Sequence, residues 1–286
     1  MERNGIVLEG GACRGVFTAG VLDVLQERGL TFNYCIGVSA GAGNAMNFKS
    51  RQPRRAYELT TGTGSRSYYG IRQARYSHNL IDLDYLYETL SYEGDIPFDF
   101  DAYYRNPMVC EYVVSCCETG EAEYLSETVY QKRLLEIVKA SGAMPGLCKS
   151  RIIDGKHYLD GGVTDALPVL RAFSQGCDKV VLVTTKPAEN LHPTDYSRLR
   201  PLFQKLYKKR YPRFFESLMD RIPRYFESLE KILELEKEGK IFVIRPQRCN
   251  IKTLEKDREE MRQYYLHGKK VAAEQYENLL AYLDKT

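Results

Sequence analysis

The pentapeptide Gly37-Val38-Ser39-Ala40-Gly41 constrains this chain more than any other stretch. It follows the apolar run Tyr34-Cys35-Ile36 and precedes Ala42-Gly43-Asn44-Ala45-Met46, small residues that can open a helix. A serine held between a strand and a helix must take a strained backbone conformation, and glycines two residues to either side let neighbouring segments pass without a Cβ in the way. The hydroxyl is then held in solvent at a helix N-terminus. This is the context of a nucleophile elbow, with Gly37 and Gly41 as its glycines.

Upstream, Gly5-Ile6-Val7-Leu8-Glu9 reads as a short buried strand. It runs into Gly10-Gly11-Ala12-Cys13-Arg14-Gly15, after which Phe17, Val21, Val24 and Leu25 recur at helical spacing. Strand, glycine loop and helix together aim free backbone N–H groups at one point, so the loop suits an anion. Two anions compete for it. A dinucleotide pyrophosphate calls for an acidic residue at the end of the second strand, and here that strand ends in Ser39. The oxyanion of an acyl-transfer intermediate calls for preorganised donors beside a nucleophile. If the two strands are parallel neighbours, both loops emerge at the same carboxyl edge of the sheet.

The serine needs a base. None of His78, His157, His192 and His267 follows a late strand in a tight, glycine-flanked turn. A carboxylate is better placed: residues 151–159 read as a hairpin turning at Asp154-Gly155, and it delivers Asp160-Gly161-Gly162 into a loop. Two glycines in a row, Gly161 and Gly162, suit a close approach of backbone to another loop or to substrate.

The glycine loop, the elbow and Asp160-Gly161-Gly162 occur in this order, and together they resemble the patatin-like phospholipase family. The resemblance extends to Ala140-Ser141-Gly142-Ala143-Met144-Pro145-Gly146 and to Val163-Thr164-Asp165-Ala166-Leu167-Pro168, and it covers roughly residues 5–185. It implies a dyad of Ser39 and Asp160, an oxyanion hole in the glycine loop, and hydrolysis of lipid acyl esters. The loop Gly10, Gly11, Ala12, Cys13, Arg14, Gly15 is then the oxyanion hole, with N–H groups of Gly11, Ala12 and Cys13 as donors. Arg14 is either electrostatic support or a clamp on a neighbouring loop. The chain departs from the plant members at Ala12, where they often carry glycine, although a backbone N–H remains. An exposed aspartate, with a pKa of about 3.9, is a feeble base at neutral pH, so the dyad requires Asp160 to be buried. An acyltransferase with the same elbow, or a nucleotide-binding protein using the glycine loop, are the alternatives.

Length and alternation of strands and helices favour one three-layer α/β/α domain over 1–286, with a mostly parallel sheet. Its expected parts are a motif-bearing core over about 5–185, a helical cap over about 198–239, and a strand and helices over 240–286. The sequence shows neither a long apolar run nor a signal-like N-terminus, which points to a cytoplasmic protein. The eight cysteines lack C-x-x-C pairs and Cys/His ligand spacing, so they read as free thiols, with no metal and no cofactor expected. Cys13 is either an exposed thiol or a small filler of the tight turn. The expected partner is a lipid or acyl-ester substrate and not nucleic acid; oligomeric state stays open.

Residues 108–115 and 121–125 read as strands joined across Thr119-Gly120, 129–141 as a helix, and 179–185 and 241–244 as buried strands. The tyrosine-rich stretch 57–101 is either a lid over Ser39 or a packed surface excursion. Residues 198–213 carry seven Lys and Arg and no acid, interleaved with Leu202, Phe203, Leu206, Tyr207 and Tyr211. That is the composition of an interfacial helix, so 198–226 is either a cap whose aromatics pack on the core or a peripheral membrane contact. Within it, Pro212-Arg213-Phe214-Phe215-Glu216-Ser217-Leu218 returns as Pro223-Arg224-Tyr225-Phe226-Glu227-Ser228-Leu229. Eleven residues are three helical turns, so both copies are expected to face the same way.

Overall fold

The computed structural model describes residues 3–62, 67–70, 79–193 and 195–284. His78 and parts of the 57–101 stretch lie outside the described residues. The strands are β1 (Asn4–Leu8), β2 (Tyr34–Val38), β3 (Val109–Cys116), β4 (Ala122–Leu125), β5 (Arg151–Ile153), β6 (Lys156–Asp160), β7 (Lys179–Val183) and β8 (Ile241–Ile244). The helices used below are α1 (Gly15–Glu27), α2 (Ala40–Lys49), α3 (Arg55–Thr61), α4 (Phe100–Arg105), α5 (Gln131–Ser141), α6 (Val169–Ser174), α7 (Pro212–Met219), α8 (Arg221–Lys237) and α9 (Arg258–Leu283).

The eight strands among the described residues form one sheet in the order β5-β6-β3-β2-β1-β7-β8, with β4 also on β3. The run from β3 through β8 is parallel, while β4, β5 and β6 are joined antiparallel. β1 and β7 are nearly continuous apolar runs because helices cover the sheet on both sides. Along β1 the pleat sends Ile6 and Leu8 to one face and Val7 to the other. The first face packs α1, α2, α5, α7 and α9, through residues such as Phe17, Met46, Leu134, Phe214 and Tyr264. The second packs α6 and α8 through Val169, Tyr225, Leu229 and Ile232. The expected three-layer α/β/α architecture is therefore what the chain adopts, with helices at its C-terminal end.

α1 and α9 cross closely because each offers a glycine where the other's backbone passes. A Cβ on Gly20 would stand 2.2 Å from the Tyr265 carbonyl oxygen, and one on Gly268 would stand 2.1 Å from that of Phe17. The hairpin of β5 and β6 turns at Asp154 and Gly155, both at positive φ (50° and 81°), the pair a tight hairpin turn requires. Helix α5 starts at Gln131, two residues later than its sequence pattern suggests. Glu127 accounts for the delay: its Oε1 accepts the N–H groups of Thr128, Val129 and Tyr130 and so ends the preceding turn.

The internal repeat does not behave as its spacing suggests. Its first copy lies on α7, with Phe214, Phe215 and Leu218 on the first sheet face, and its second on α8, with Tyr225 and Leu229 on the other. The chain leaves the helix at Asp220 between the copies, so the three-turn phase relation is lost. Likewise 198–213 is not one helix. It is a 3₁₀ turn at Ser197–Leu199, a helical turn at Arg200–Phe203 and a wider π turn at Gln204–Lys208. Phe203, Tyr207 and Tyr211 are buried in the first core, while Leu199, Leu202 and Leu206 are each 45% exposed.

Candidate active site

Topology alone brings Ser39 to Asp160. A strand has only two edges. Tyr112 and Val113 of β3 pair with β2 through Gly37 and Val38 and with β4 through Leu125 and Tyr124, so β2 and β4 lie on opposite edges. Val114 and Ser115 pair with β4 and also with β6, which therefore lies on the edge that β2 occupies. The two strands run toward each other along that edge. Val38 stands opposite Val113 and Asp160 opposite Val114, so the residue after β2 meets the last residue of β6.

Ser39 turns there with φ 56° and ψ −120°, a conformation that costs a non-glycine residue on the order of 1–3 kcal/mol. The close packing around it explains the flanking glycines. A Cβ on Gly37 would stand 2.3 Å from the Gly41 carbonyl oxygen, and one on Gly41 would stand 2.2 Å from that of Leu8. Ser39 Oγ donates to Asp160 Oδ2 at 2.7 Å, and the other carboxylate oxygen accepts the Gly162 N–H at 2.8 Å. Gly161 is required for a different reason: its Cβ would stand 2.1 Å from the Val113 carbonyl oxygen. Burial pushes the Asp160 carboxyl above the usual aspartate range. The Ser39 hydroxyl, the Gly162 amide and the Arg221 guanidinium oppose that shift.

The stretch after α5 holds both partners in place. Ser141 Oγ accepts the Ser39 N–H at 2.9 Å, and the Ala143 carbonyl accepts the Asp160 N–H at 2.9 Å. Ser115 Oγ adds a 2.8 Å bond to the Asp160 carbonyl. The sequence marked 140–146 as part of the resemblance, and gave no signal that Ser141 supports the serine.

The glycine loop lies against the same point, since a Cβ on Gly10 would stand 2.9 Å from Ser39 Cβ. Among the described residues the N–H groups of Gly10, Gly11 and Ala12 make no hydrogen bond. The donors expected further along the loop are engaged: Cys13 N–H donates to the Thr253 carbonyl at 3.0 Å, Arg14 N–H to Gly11 at 3.1 Å, and Gly15 N–H to Ala12 or Cys13. The available donors thus narrow to Gly10, Gly11 and Ala12. Cys13 is fully buried and its thiol faces the Glu255 carbonyl, the filler role rather than the exposed thiol. Arg14 reaches Thr253 Oγ1 at 2.9 Å, which is a clamp between the loop and residues before α9.

Glu9 carries a part in the site that the sequence reading missed. It is buried, and its Oε2 accepts the Thr185 N–H at 2.6 Å and lies 2.9 Å from the Thr185 hydroxyl. That hydroxyl is also 2.8 Å from the Gly10 carbonyl. The C=O and N–H of one peptide point in opposite directions. Tying down the Gly10 carbonyl therefore aims the Gly11 N–H the other way. The Arg14 N–H does the same for the Ala12 N–H by holding the Gly11 carbonyl.

Gly11 itself is extended (φ 167°), so space rather than backbone freedom demands glycine: a Cβ would stand 2.6 Å from Thr185 Oγ1. Gly11→Val is expected to lower turnover on the order of 10²-fold through displaced oxyanion donors, with KM little changed. Steady-state kinetics check this. A raised KM with normal turnover would place the loop in substrate binding.

None of the three described histidines, His157, His192 and His267, bonds to the dyad. His157 pairs with Glu118 at 2.9 Å and His267 Nε2 accepts the Gln247 N–H at 3.1 Å. His192 lines the cleft beside Ser39, yet the hydroxyl's hydrogen bond goes to Asp160. Among the described residues one group has metal-ligand spacing, Asp84, Glu88 and Glu136. The Lys139 ammonium lies among them, 2.6–2.8 Å from each, and Arg151 pairs with Asp84 and Glu136, so side-chain cations already occupy the cluster.

The described site is a serine on a strained elbow with a buried carboxylate partner and backbone donors alongside, on a mixed α/β sheet: the layout of a serine acyl hydrolase. A family model described as patatin-like phospholipase matches residues 6–173, and the chain belongs to that family. A second model, a domain of unknown function (DUF6363), matches residues 211–284. The chain is 34% identical over 191 residues to the uncharacterized protein YjjU of Escherichia coli K12, covering 65% of this chain and 53% of that one. It is 26% identical over 196 residues to lysophospholipase NTE1 of Candida glabrata, covering 67% of this chain and 11% of that one. The chain thus spans about half or less of these relatives' lengths. Among solved structures, VipD of Legionella pneumophila is similar with a TM-score of 0.46 and 14% identity, covering 97% of this chain and 67% of that one.

Proposed function

We propose that the chain is a serine lipid acyl hydrolase of the phospholipase A, lysophospholipase or carboxylesterase type, working through a Ser39–Asp160 dyad. The 2.7 Å bond between Ser39 Oγ and a buried Asp160 carries this reading. Ser39 Oγ attacks the ester carbonyl while its proton passes to Asp160. The oxyanion is met by the N–H groups of Gly10, Gly11 and Ala12. As the alcohol–carbonyl bond breaks, Asp160 returns the proton to the leaving alkoxide. Water, deprotonated by the same carboxylate, then attacks the acyl-enzyme carbonyl, and as the bond to Ser39 Oγ breaks Asp160 hands that proton to Ser39, releasing the acid and restoring the dyad. An apolar cavity bounded by Leu59, Tyr68, Ile81, Leu86, Tyr87 and Leu254 opens at Ser39 and suits the acyl chain. The described parts of 57–101 thus wall the cleft. One domain with a cap over 198–239 accommodates these parts, since β8 pairs with β7 and α9 packs on α1.

Fluorophosphonate labelling with mapping of the modified residue, followed by a lipid panel with and without acyl acceptors, tests the proposal. Label on Ser39 and free fatty acid as product support it. Transfer to an acceptor instead of water would make the chain an acyltransferase.

The same reading includes peripheral membrane contact through 198–226. Leu199, Leu202 and Leu206 are exposed beside Arg198, Arg200, Lys205, Lys208 and Lys209, all at the surface. Phe203 packs on Gly146, and Tyr207 accepts the Gly146 N–H at 2.9 Å, which ties the run to the 140–146 stretch under the dyad. Reversing Lys205, Lys208 and Lys209 to glutamate is expected to cut binding to anionic vesicles about a hundredfold or more, at roughly 1 kcal/mol per lysine lost, and to spare hydrolysis of a soluble short-chain ester. Wild-type binding should weaken as salt rises. Vesicle sedimentation and parallel assays check both; equal loss on both substrates would mean a structural cap. Among the described residues no helix is long and apolar enough to cross a membrane.

A further inference from the structure

One wall of the apolar cavity beside Ser39 is a helical stretch over 83–92 with a π turn at Tyr85–Thr89. Leu83, Leu86 and Tyr87 recur at helical spacing and line the cavity. Asp84 and Glu88, four residues apart, share a second face, which meets α5. There the Lys139 ammonium lies 2.8 Å from Asp84 and 2.7 Å from Glu88, and 2.6 Å from Glu136 of α5 itself. Arg151 of β5 adds a pair to Asp84 at 2.8 Å and one to Glu136 at 2.9 Å.

The Lys139 side chain is buried, whereas Asp84 and Glu88 keep about half of theirs in solvent. Burial works against the ammonium, yet its bonds to Asp84, Glu136 and Glu88 outweigh it and hold the pKa above the usual lysine range. Packed apolar side chains would join the wall to α5 at least as firmly as a buried ion pair does. What the pair adds is a fixed position for each partner. The carboxylate oxygens of Asp84, Glu88 and Glu136 lie within 4.8 Å of one another, so without the cation they repel, and water is open to the two on the wall. Helix α5 is held apart from this cluster, because Leu134, Leu135, Ile137 and Val138 are buried in the core. The far end of the wall has its own anchor: Arg55 of α3 donates to the Leu90 carbonyl at 3.4 Å and to Ser91 Oγ at 3.3 Å. Loss of Lys139 therefore frees one turn of the wall and leaves its neighbours fastened.

Ala12, Ser39 and Met144 line both the apolar cavity and the polar part of the cleft beside it, so they stand at the cavity's mouth. A short acyl group on Ser39 ends there, while a long one runs on along Leu83, Leu86 and Tyr87. We infer that Lys139 is a positioning residue for acyl-chain length: by latching the 83–92 wall to α5 through Asp84 and Glu88, it sets the cavity that long chains fill and leaves the chemistry at Ser39 unchanged. The inference rests on Ser39 being the nucleophile and on the apolar cavity taking the acyl chain.

The test compares the p-nitrophenyl esters of decanoate and butanoate, which share a leaving group and differ only in the chain. Wild type should favour decanoate about tenfold or more in kcat/KM, since each further buried methylene adds to binding. Lys139→Met should shrink that ratio about tenfold through the KM for decanoate, with kcat for butanoate within about twofold of wild type. The double variant Asp84→Asn/Glu88→Gln should shrink the ratio in the same way. Joined to Lys139→Met it should add no further loss, because both changes break the same contacts. Should Lys139→Met not fold, the double variant, altered at two half-exposed side chains, carries the test. No preference for decanoate in wild type, an unchanged ratio in folded variants, equal losses on both esters, or additive losses in the combined variant overturns the inference. Hydrogen exchange reads the latch without turnover: amides of 83–92 should lose protection in the variants while those of 131–141 keep it, and unchanged protection of 83–92 overturns the latch. If wild type cleaves no ester and takes no fluorophosphonate, the hydrolase reading fails instead, and the latch stands or falls on the exchange result.

Discussion

Ser39→Ala is expected to lower ester hydrolysis on the order of 10⁵-fold or more and to abolish fluorophosphonate labelling, with the circular dichroism spectrum unchanged. Alanine keeps the Cβ and therefore the strained elbow (φ 56°), so what is lost is the hydroxyl and its bond to Asp160. The expectation of a near-native fold follows from the remaining anchors: the Ser39 N–H still meets Ser141, and Asp160 still meets Gly162. Residual activity above a trace, at verified purity, would remove Ser39 from the mechanism.

Asp160→Asn is expected to cost on the order of 10³-fold or more in turnover, because an amide cannot accept the serine proton. His157→Ala and His267→Ala should keep most activity, since both rings are bonded elsewhere. His192→Ala is the sharper comparison, because that residue lines the cleft. A loss there as deep as in Asp160→Asn would make the site a triad. The same substitution carries a stability prediction. Burial raises the Asp160 pKa in the folded protein. Between the unfolded value and that raised value the folded state binds more protons, so stability falls as pH rises through this window and stays lower above it. Asparagine removes the penalty. Asp160→Asn should therefore melt higher than wild type at pH 7, with the difference shrinking toward acid pH, measurable by calorimetry. The ascending limb of kcat/KM should also lie above the usual aspartate pKa, because the base acts only when ionised.

Much of the site was legible because its signals are local. The apolar runs of β1, β2 and β7, the glycine-rich turns and the Asp154-Gly155 hairpin each state a backbone conformation within a few residues. The order of the three motifs then identified the family. Ser39, Asp160 and the glycine loop could be singled out from the sequence for this reason, and the fold brings them together.

What lay beyond the sequence is set by contacts between residues far apart in the chain. Asp160 reaches Ser39 across 121 residues because β6 and β2 share one edge of β3, a pairing that no periodicity records. Glu9 looked like the end of a strand until β7 placed Thr185 against it. Ser141 looked like one small residue among several until its hydroxyl met the Ser39 amide. The repeat in 212–229 misled for the converse reason: helical phase predicts a shared face only while the helix continues, and the break at Asp220 sends its copies to opposite sides of the sheet. Local backbone preference thus determined the elements and the identity of the candidate reacting groups. Strand pairing and packing decided which donors of the glycine loop stay free, where the proposed base stands and which charges share the cleft, because those depend on register and on the partner that each backbone N–H finds.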